Sequence, residues 1–180
     1  RRVLFRSVYD VRGRAMQPRF NEKVLAGLGR GLGATGKLNP EGVEMAISAL
    51  ARFASITRAQ KVENLFAFAT AAVREAADGK EFVDRVKKET GVTLRILSGG
   101  DEARFAAEGV LAGTPGVDGV VGDLGGSSLE LARLVGGRYE GGSTYPLGPL
   151  ALDTGGAFNE DKVAARARDL MSSAPELKKS

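Results

Sequence analysis

Cysteine and histidine are both absent from this 180-residue sequence. The first absence rules out disulfides and thiolate metal sites; the second removes histidine zinc sites, serine–histidine triads and imidazole bases. Any acid–base chemistry therefore falls to carboxylates, lysines or tyrosines. Long apolar runs are missing too. None approaches the ~20 residues of a membrane-spanning helix, and no secretory signal is recognisable. The expectation is a cytoplasmic protein with no membrane partner. Nor is charge of one sign concentrated: a net charge of +4 comes from 26 basic and 22 acidic residues. That balance suits a small anionic ligand but lacks the clustered basic stripe that a nucleic-acid polymer requires.

What is present, 43% hydrophobic and 27% charged side chains, supports one moderate core, or one domain plus part of another. The second arrangement is expected: a first lobe over residues 8–115 and the start of a second over 116–180, joined at Thr114 to Gly119. Residues 1–7, Arg-Arg-Val-Leu-Phe-Arg-Ser, match the translation of a sequencing-library adaptor and are set aside. On that reading the natural chain begins upstream of Val8.

Secondary-structure signals alternate along the rest. Val8 to Asp10 is read as a strand remnant, Arg12 to Arg19 as a polar turn, and Phe20 to Leu28 as a strand entering a glycine-rich bend. Asn39 and Pro40 form an N-cap and first-turn pair, predicting a helix from Pro40 to Arg58 whose Val43, Ala46, Ile47, Leu50 and Ala54 share one buried face. Leu65 to Ala69 reads as a buried parallel strand, Ala71 to Glu89 as helix interrupted near Asp78-Gly79, Val92 to Leu97 as strand and Asp101 to Leu111 as helix. After Gly119 come strands at Val120, Leu129 to Leu134 and Arg138 to Tyr145, with a turn at Gly136-Gly137, and a terminal helix from Asp161 to Ser180. The order implies an α/β architecture with helices covering a mixed sheet.

The most informative segment is Asp123-Leu124-Gly125-Gly126-Ser127-Ser128-Leu129-Glu130. Glycines after a strand allow the backbone to approach phosphate oxygens, through positive φ and the lack of a Cβ, so that successive N–H groups converge on the anion. Asp123 can hold a hard cation such as Mg2+ through its water shell, Ser127 and Ser128 offer hydroxyls, and Glu130 supplies a second carboxylate. Two weaker patterns fail. Gly31 to Lys37 has Walker A spacing, but Leu38 stands where a Ser or Thr is needed, and Gly29-x-Gly31-x-x-Ala34 lies too far from a helix start for a dinucleotide fingerprint.

Together with Ala69-Thr70-Ala71-Ala72-Val73-Arg74, Glu81-Phe82, Leu97-Ser98-Gly99-Gly100-Asp101-Glu102-Ala103-Arg104 and Phe20-Asn21-Glu22-Lys23, this segment resembles the exopolyphosphatase and guanosine pentaphosphate phosphohydrolase family. The resemblance runs from Val8 to about Leu152. It implies the duplicated fold of actin, sugar kinases and chaperone ATPases (ribonuclease H-like), here truncated at both ends. It also implies Mg2+-dependent hydrolysis of the terminal phosphoanhydride of inorganic polyphosphate or guanosine pentaphosphate, in a protein that is often a homodimer. Glu102 falls on the catalytic glutamate, Asp123 and Glu130 on acids around metal and water, and Gly125, Gly126, Ser127 and Ser128 on the second phosphate loop. Thr70, Arg74 and Ser98 fall on the cleft lining.

Three departures from the family pattern stand out. Its first phosphate loop, expected just upstream of Val8, is missing. Ser127 replaces a usual third glycine, and Asp78 a usual asparagine; a side chain forced to positive φ costs about 1–2 kcal/mol. Simpler roles compete residue by residue. Thr70 and Ser98 are also fit for N-caps, Glu102 for a first-turn helix charge, and Arg74 for an ion pair with Asp78. A polyphosphate- or nucleotide-binding module without turnover, or an ATP-dependent kinase of the same superfamily, are the alternative functions.

Overall fold

The computed structural model describes residues 4–13, 15–152 and 159–178; residues 1–3 of the set-aside segment and 179–180 of the expected terminal helix lie outside it. Strands β1 (Leu4–Arg12) and β2 (Ala15–Val24) form an antiparallel hairpin. The polar turn expected from Arg12 to Arg19 is therefore mostly strand. Strand β2 gave no alternating signal because it is exposed nearly throughout, only Phe20, Glu22 and Val24 being partly covered.

A glycine-rich bend carrying the short helix α1 (Leu32–Thr35) leads to α2 (Pro40–Ala59). This helix begins as expected, the Asn39 side chain accepting from the Gly42 amide at 2.8 Å with Pro40 in the first turn. Its Ala46, Ile47, Leu50, Phe53 and Ala54 are buried in one cluster with Ala69, Val73, Phe82, Val86, Val92 and Leu94. Strands β3 (Phe68–Ala69) and β4 (Arg95–Ile96) pair in parallel, as predicted, but are only two residues each, and Leu65 and Phe66 are exposed rather than buried. Between them α3 (Ala71–Glu75) and α4 (Gly79–Thr90) break where Asp78-Gly79 predicted.

Helix α5 (Gly99–Gly113) then lies across a second, antiparallel sheet of β5 (Gly119–Leu124), β6 (Leu129–Val135) and β7 (Arg138–Tyr145) in that spatial order. The β6–β7 turn is Gly136-Gly137, both at positive φ (58° and 68°), the conformation that a two-residue hairpin turn demands. Along β6 the side chains of Glu130, Ala132 and Leu134 point to one face. All three are buried, and Ala132 and Leu134 pack against Ala103 and Ala107 of α5. Helices α6 (Pro149–Leu152) and α7 (Glu160–Ser172) follow. The single terminal helix expected from Asp161 to Ser180 stops at Ser172, and a 3-10 turn at Pro175–Leu177 replaces its end because proline cannot continue a helix.

The described residues thus form α/β architecture built on three small sheets rather than one mixed sheet. No helix among them is long and apolar enough to cross a membrane.

Gly148, in the turn before α6, has no room for a side chain: a Cβ there would fall 2.3 Å from Ser127 backbone atoms. Gly109, on the exposed side of α5, would meet nothing within 4 Å. Gly148→Ala is expected to destabilise by about 1–3 kcal/mol through overpacking, whereas Gly109→Ala should stabilise by roughly 0.5–1 kcal/mol through helix propensity. Urea unfolding of the two variants reads both signs.

Candidate active site

The β5–β6 connection is a tight turn over Gly125 to Ser128, closed by the Gly125 amide donating to the Ser128 carbonyl at 2.8 Å. Positive φ was expected here. Neither Gly125, Gly126 nor Ser127 adopts it, so Ser127 carries no such strain. The turn is instead shaped by close approach: the Leu150 amide donates to the Gly126 carbonyl at 2.8 Å, and Gly148 lies against Ser127, which is buried with Ser128.

Antiparallel register brings the acids together. Asp123 is the Cα partner of Glu130, and Glu130 is in turn the partner of Thr144 on β7. Directly opposed residues project to the same face, so Asp123, Glu130 and Thr144 form a row across the sheet on the side that α5 covers. Asp123, at the open end of β5, is exposed. Glu130 is 3% exposed and accepts a 2.9 Å hydrogen bond from the Thr144 hydroxyl.

The first turn of α5 delivers the third carboxylate. Ser98 caps the helix: its hydroxyl accepts from the Asp101 amide (3.1 Å) and donates to Asp101 Oδ2 (2.9 Å). Those bonds hold the Asp101 carboxyl below its ordinary range, and they commit the Ser98 hydroxyl to the cap rather than to the cleft. Glu102, one residue further on, turns inward with a side chain 12% exposed. Burial pushes its pKa up, an ion pair with Arg74 pulls it back, and the nearby charges of Glu130 and Glu75 push it up again. Glu102 and Glu130, 28 residues apart in sequence, therefore face one another electrostatically.

Arg74 sits at the end of α3. Its Nη1 donates to the Leu97 carbonyl (2.8 Å) and to Glu102 Oε1, and Nη2 lies 3.6 Å from Glu75. The alternative Arg74–Asp78 pair does not form. Asp78 accepts from the Leu38 amide at 3.0 Å, a contact that an asparagine carbonyl oxygen could equally make. Thr70 occupies the N-cap position of α3 without a side-chain capping bond and is exposed. The structure thus gathers Arg74, Glu102, Glu130 and Asp123 with the Gly125 to Ser128 turn, and leaves Ser98 in the cap. Thr144 was not foreseen from sequence.

A cavity of about 240 Å³ opens beside this group, lined by Gly33, Gly36, Glu75, Ser127 and Leu150. A larger one, about 400 Å³, lies between β5 and the 3-10 turn and holds none of the predicted residues. Among the described residues no three acidic side chains converge closely enough to cage a metal. Mg2+ is ordinarily held by one or two carboxylates plus waters and substrate phosphates, and the all-oxygen donor set of Asp123 and Glu130 fits that demand.

The profile of the Ppx/GppA phosphatase family matches residues 7–165. The chain belongs to that family. It is 38% identical over 117 residues to Exopolyphosphatase 1 of Mycobacterium leprae, covering 64% of this chain and 34% of that protein. It is 34% identical over 139 residues to Exopolyphosphatase 1 of Mycobacterium tuberculosis, covering 76% and 40% respectively. The chain therefore spans well under half the length of these relatives. Among solved structures, the Aquifex aeolicus Ppx/GppA enzyme superposes with a TM-score of 0.80 at 25% identity, covering 98% of this chain and 61% of that one. The Cytophaga hutchinsonii exopolyphosphatase superposes with a TM-score of 0.81 at 24% identity, covering 93% and 55%. The fold is accordingly the actin-like one of the Ppx/GppA proteins, as the resemblance implied.

Arg74 is the neighbour that lowers the pKa of Glu102. Replacing it in Arg74→Gln should move the Glu102 titration to higher pH, because a cation that favours the carboxylate is lost. Carboxyl carbon chemical shifts followed against pH measure this; an unmoved midpoint contradicts it.

Proposed function

We propose that this chain carries the catalytic cleft of a phosphoanhydride hydrolase that removes the terminal phosphate of inorganic polyphosphate. The observation that carries the reading is the largely buried Glu102 carboxylate, its pKa raised by burial, paired with Arg74 and close enough to Glu130 to feel its charge. Family membership and the exopolyphosphatase relatives support it. The two-lobe division belongs to this reading, with α5 part of the first lobe in sequence and packed on the sheet of the second.

Glu102 is the base. It takes a proton from water as the water oxygen attacks the terminal phosphorus; the bridging P–O bond breaks, releasing orthophosphate and a chain one phosphate shorter. Protein groups have little covalent work in such a transfer, so alignment and charge neutralisation supply the rate. The amides of Gly126 to Ser128, left over once the Gly125 amide closes the turn, and the guanidinium of Arg74 bind the transferred phosphate, while Glu130 orients the water. Mg2+ held by Asp123 and phosphate oxygens would offset charge on the leaving oxygen.

Phosphate release from long-chain polyphosphate, guanosine pentaphosphate and ATP tests the reading. Polyphosphate turnover is expected, with Glu102→Gln lowering kcat by about 10²–10⁴-fold. Asp123→Ala should weaken binding and turnover together. Because the folded pKa of Glu102 is raised, its base form is lost as pH falls through a value above the ordinary ~4.3 of a glutamate. The acid limb of kcat/KM should sit correspondingly high. Undiminished release in Glu102→Gln would refute the assignment; binding without release would point to a sensing module, and transfer from ATP to an acceptor to a kinase.

A further inference from the structure

Thr144 joins the two carboxylates that the proposed chemistry needs, and neither the family resemblance nor the sequence pattern assigned it a role. Its hydroxyl donates to Glu130 Oε1 at 2.9 Å, and no other side chain among the described residues donates to that carboxylate. Its methyl lies against the first residue of α5: a Cβ on Gly99 would stand 2.0 Å from Thr144 Cγ2. Gly99 is held in place by the Ser98–Asp101 capping box, three residues before Glu102. One side chain therefore touches the carboxylate of β6 through its oxygen and the helix bearing the other carboxylate through its carbon.

The placement depends on an irregularity in β7. The Gly136-Gly137 turn pairs Val135 with Arg138 and Leu134 with Tyr139, but Arg133 then pairs with Gly141, leaving Glu140 as an extra residue. Such a bulge shifts the strand by one and changes which side chains share a face. It brings Thr144, rather than Ser143, opposite Glu130.

We propose that Thr144 is a positioning residue: its hydroxyl fixes the Glu130 carboxylate, and its methyl spaces β7 from the first turn of α5, so that it sets the gap between Glu130 and Glu102. This rests on the hydrolase reading only for its effect on rate. A hydroxyl donor steadies the charged form of the acid it bonds, and partners of this kind typically contribute about 10–100-fold in activity. Arg74, Glu75 and Asp123 are the other charged groups around the pair, and none of them contacts Thr144 by hydrogen bond or ion pair among the described residues.

Two variants separate oxygen from methyl. Thr144→Val keeps the shape and loses the hydroxyl, while Thr144→Ser keeps the hydroxyl and loses the methyl. In a crystal structure of Thr144→Val the Glu130 carboxylate should turn away from the place that the Thr144 hydroxyl gives it. With polyphosphate as substrate, kcat should fall about 10–100-fold while KM stays within about twofold, the signature of an interaction made for the reaction rather than for binding. Thr144→Ser should leave the Glu130 carboxylate in place and retain most of kcat. A Glu130 carboxylate that keeps its place in Thr144→Val overturns the proposal. So does a Thr144→Ser variant as impaired as Thr144→Val. Should the unsubstituted protein release no phosphate, the hydrolase reading fails alone, and the crystal structures of the two variants still decide the role of Thr144.

Discussion

The site depends on one electrostatic constraint: two glutamates lie close together, and among the described residues Arg74 is the cation paired with Glu102. Burial raises the pKa of Glu102, Arg74 limits the rise and the charge of Glu130 adds to it, while Thr144 donates a hydrogen bond to Glu130. A carboxyl lifted in this way is a stronger base than a solvated one. The arrangement is useful for drawing a proton from water and costly for the fold, since the native state holds a charge that burial opposes. The remaining architecture can be understood as what holds these groups in place: α3 carries Arg74, the capped start of α5 carries Glu102, and the β5–β6–β7 register carries Asp123, Glu130 and Thr144.

Arg74 also bonds the Leu97 carbonyl, immediately before the cap of α5. The same guanidinium therefore sets the chemistry of Glu102 and ties α3 to the entrance of its helix. A polyanion drawn to this cleft would compete for both contacts. Charge at the site and the junction between the first helical layer and α5 are in this sense one variable.

Much of this was legible in the sequence where local chemistry is decisive. Asn39-Pro40 announced α2, the Gly136-Gly137 pair announced its hairpin, and the acid–glycine–serine segment announced a turn and offered a candidate site. The parts that were not legible share a physical reason, namely that tertiary packing outweighed local signal. Strand β2 lies in the open and alternates little; β3 and β4 shrink to two residues because the cluster beneath them is built from helices. Thr144 escaped because simple counting from the turn would bring Ser143 opposite Glu130, and the bulge at Glu140 has no sequence signature of its own. Ser98 was legible as a cap, and the cap is where its hydroxyl is used.

The serine at position 127 carries a last implication. A loop that usually relies on a third glycine accepts a side chain here because the crowding has been moved elsewhere: the unforgiving position is Gly148, whose bare backbone rests on the Ser127 main chain. A side chain is accommodated within the bend itself, while a residue some twenty positions further along the chain is left no room for one. A search for invariance confined to the acidic glycine segment would overlook that contact.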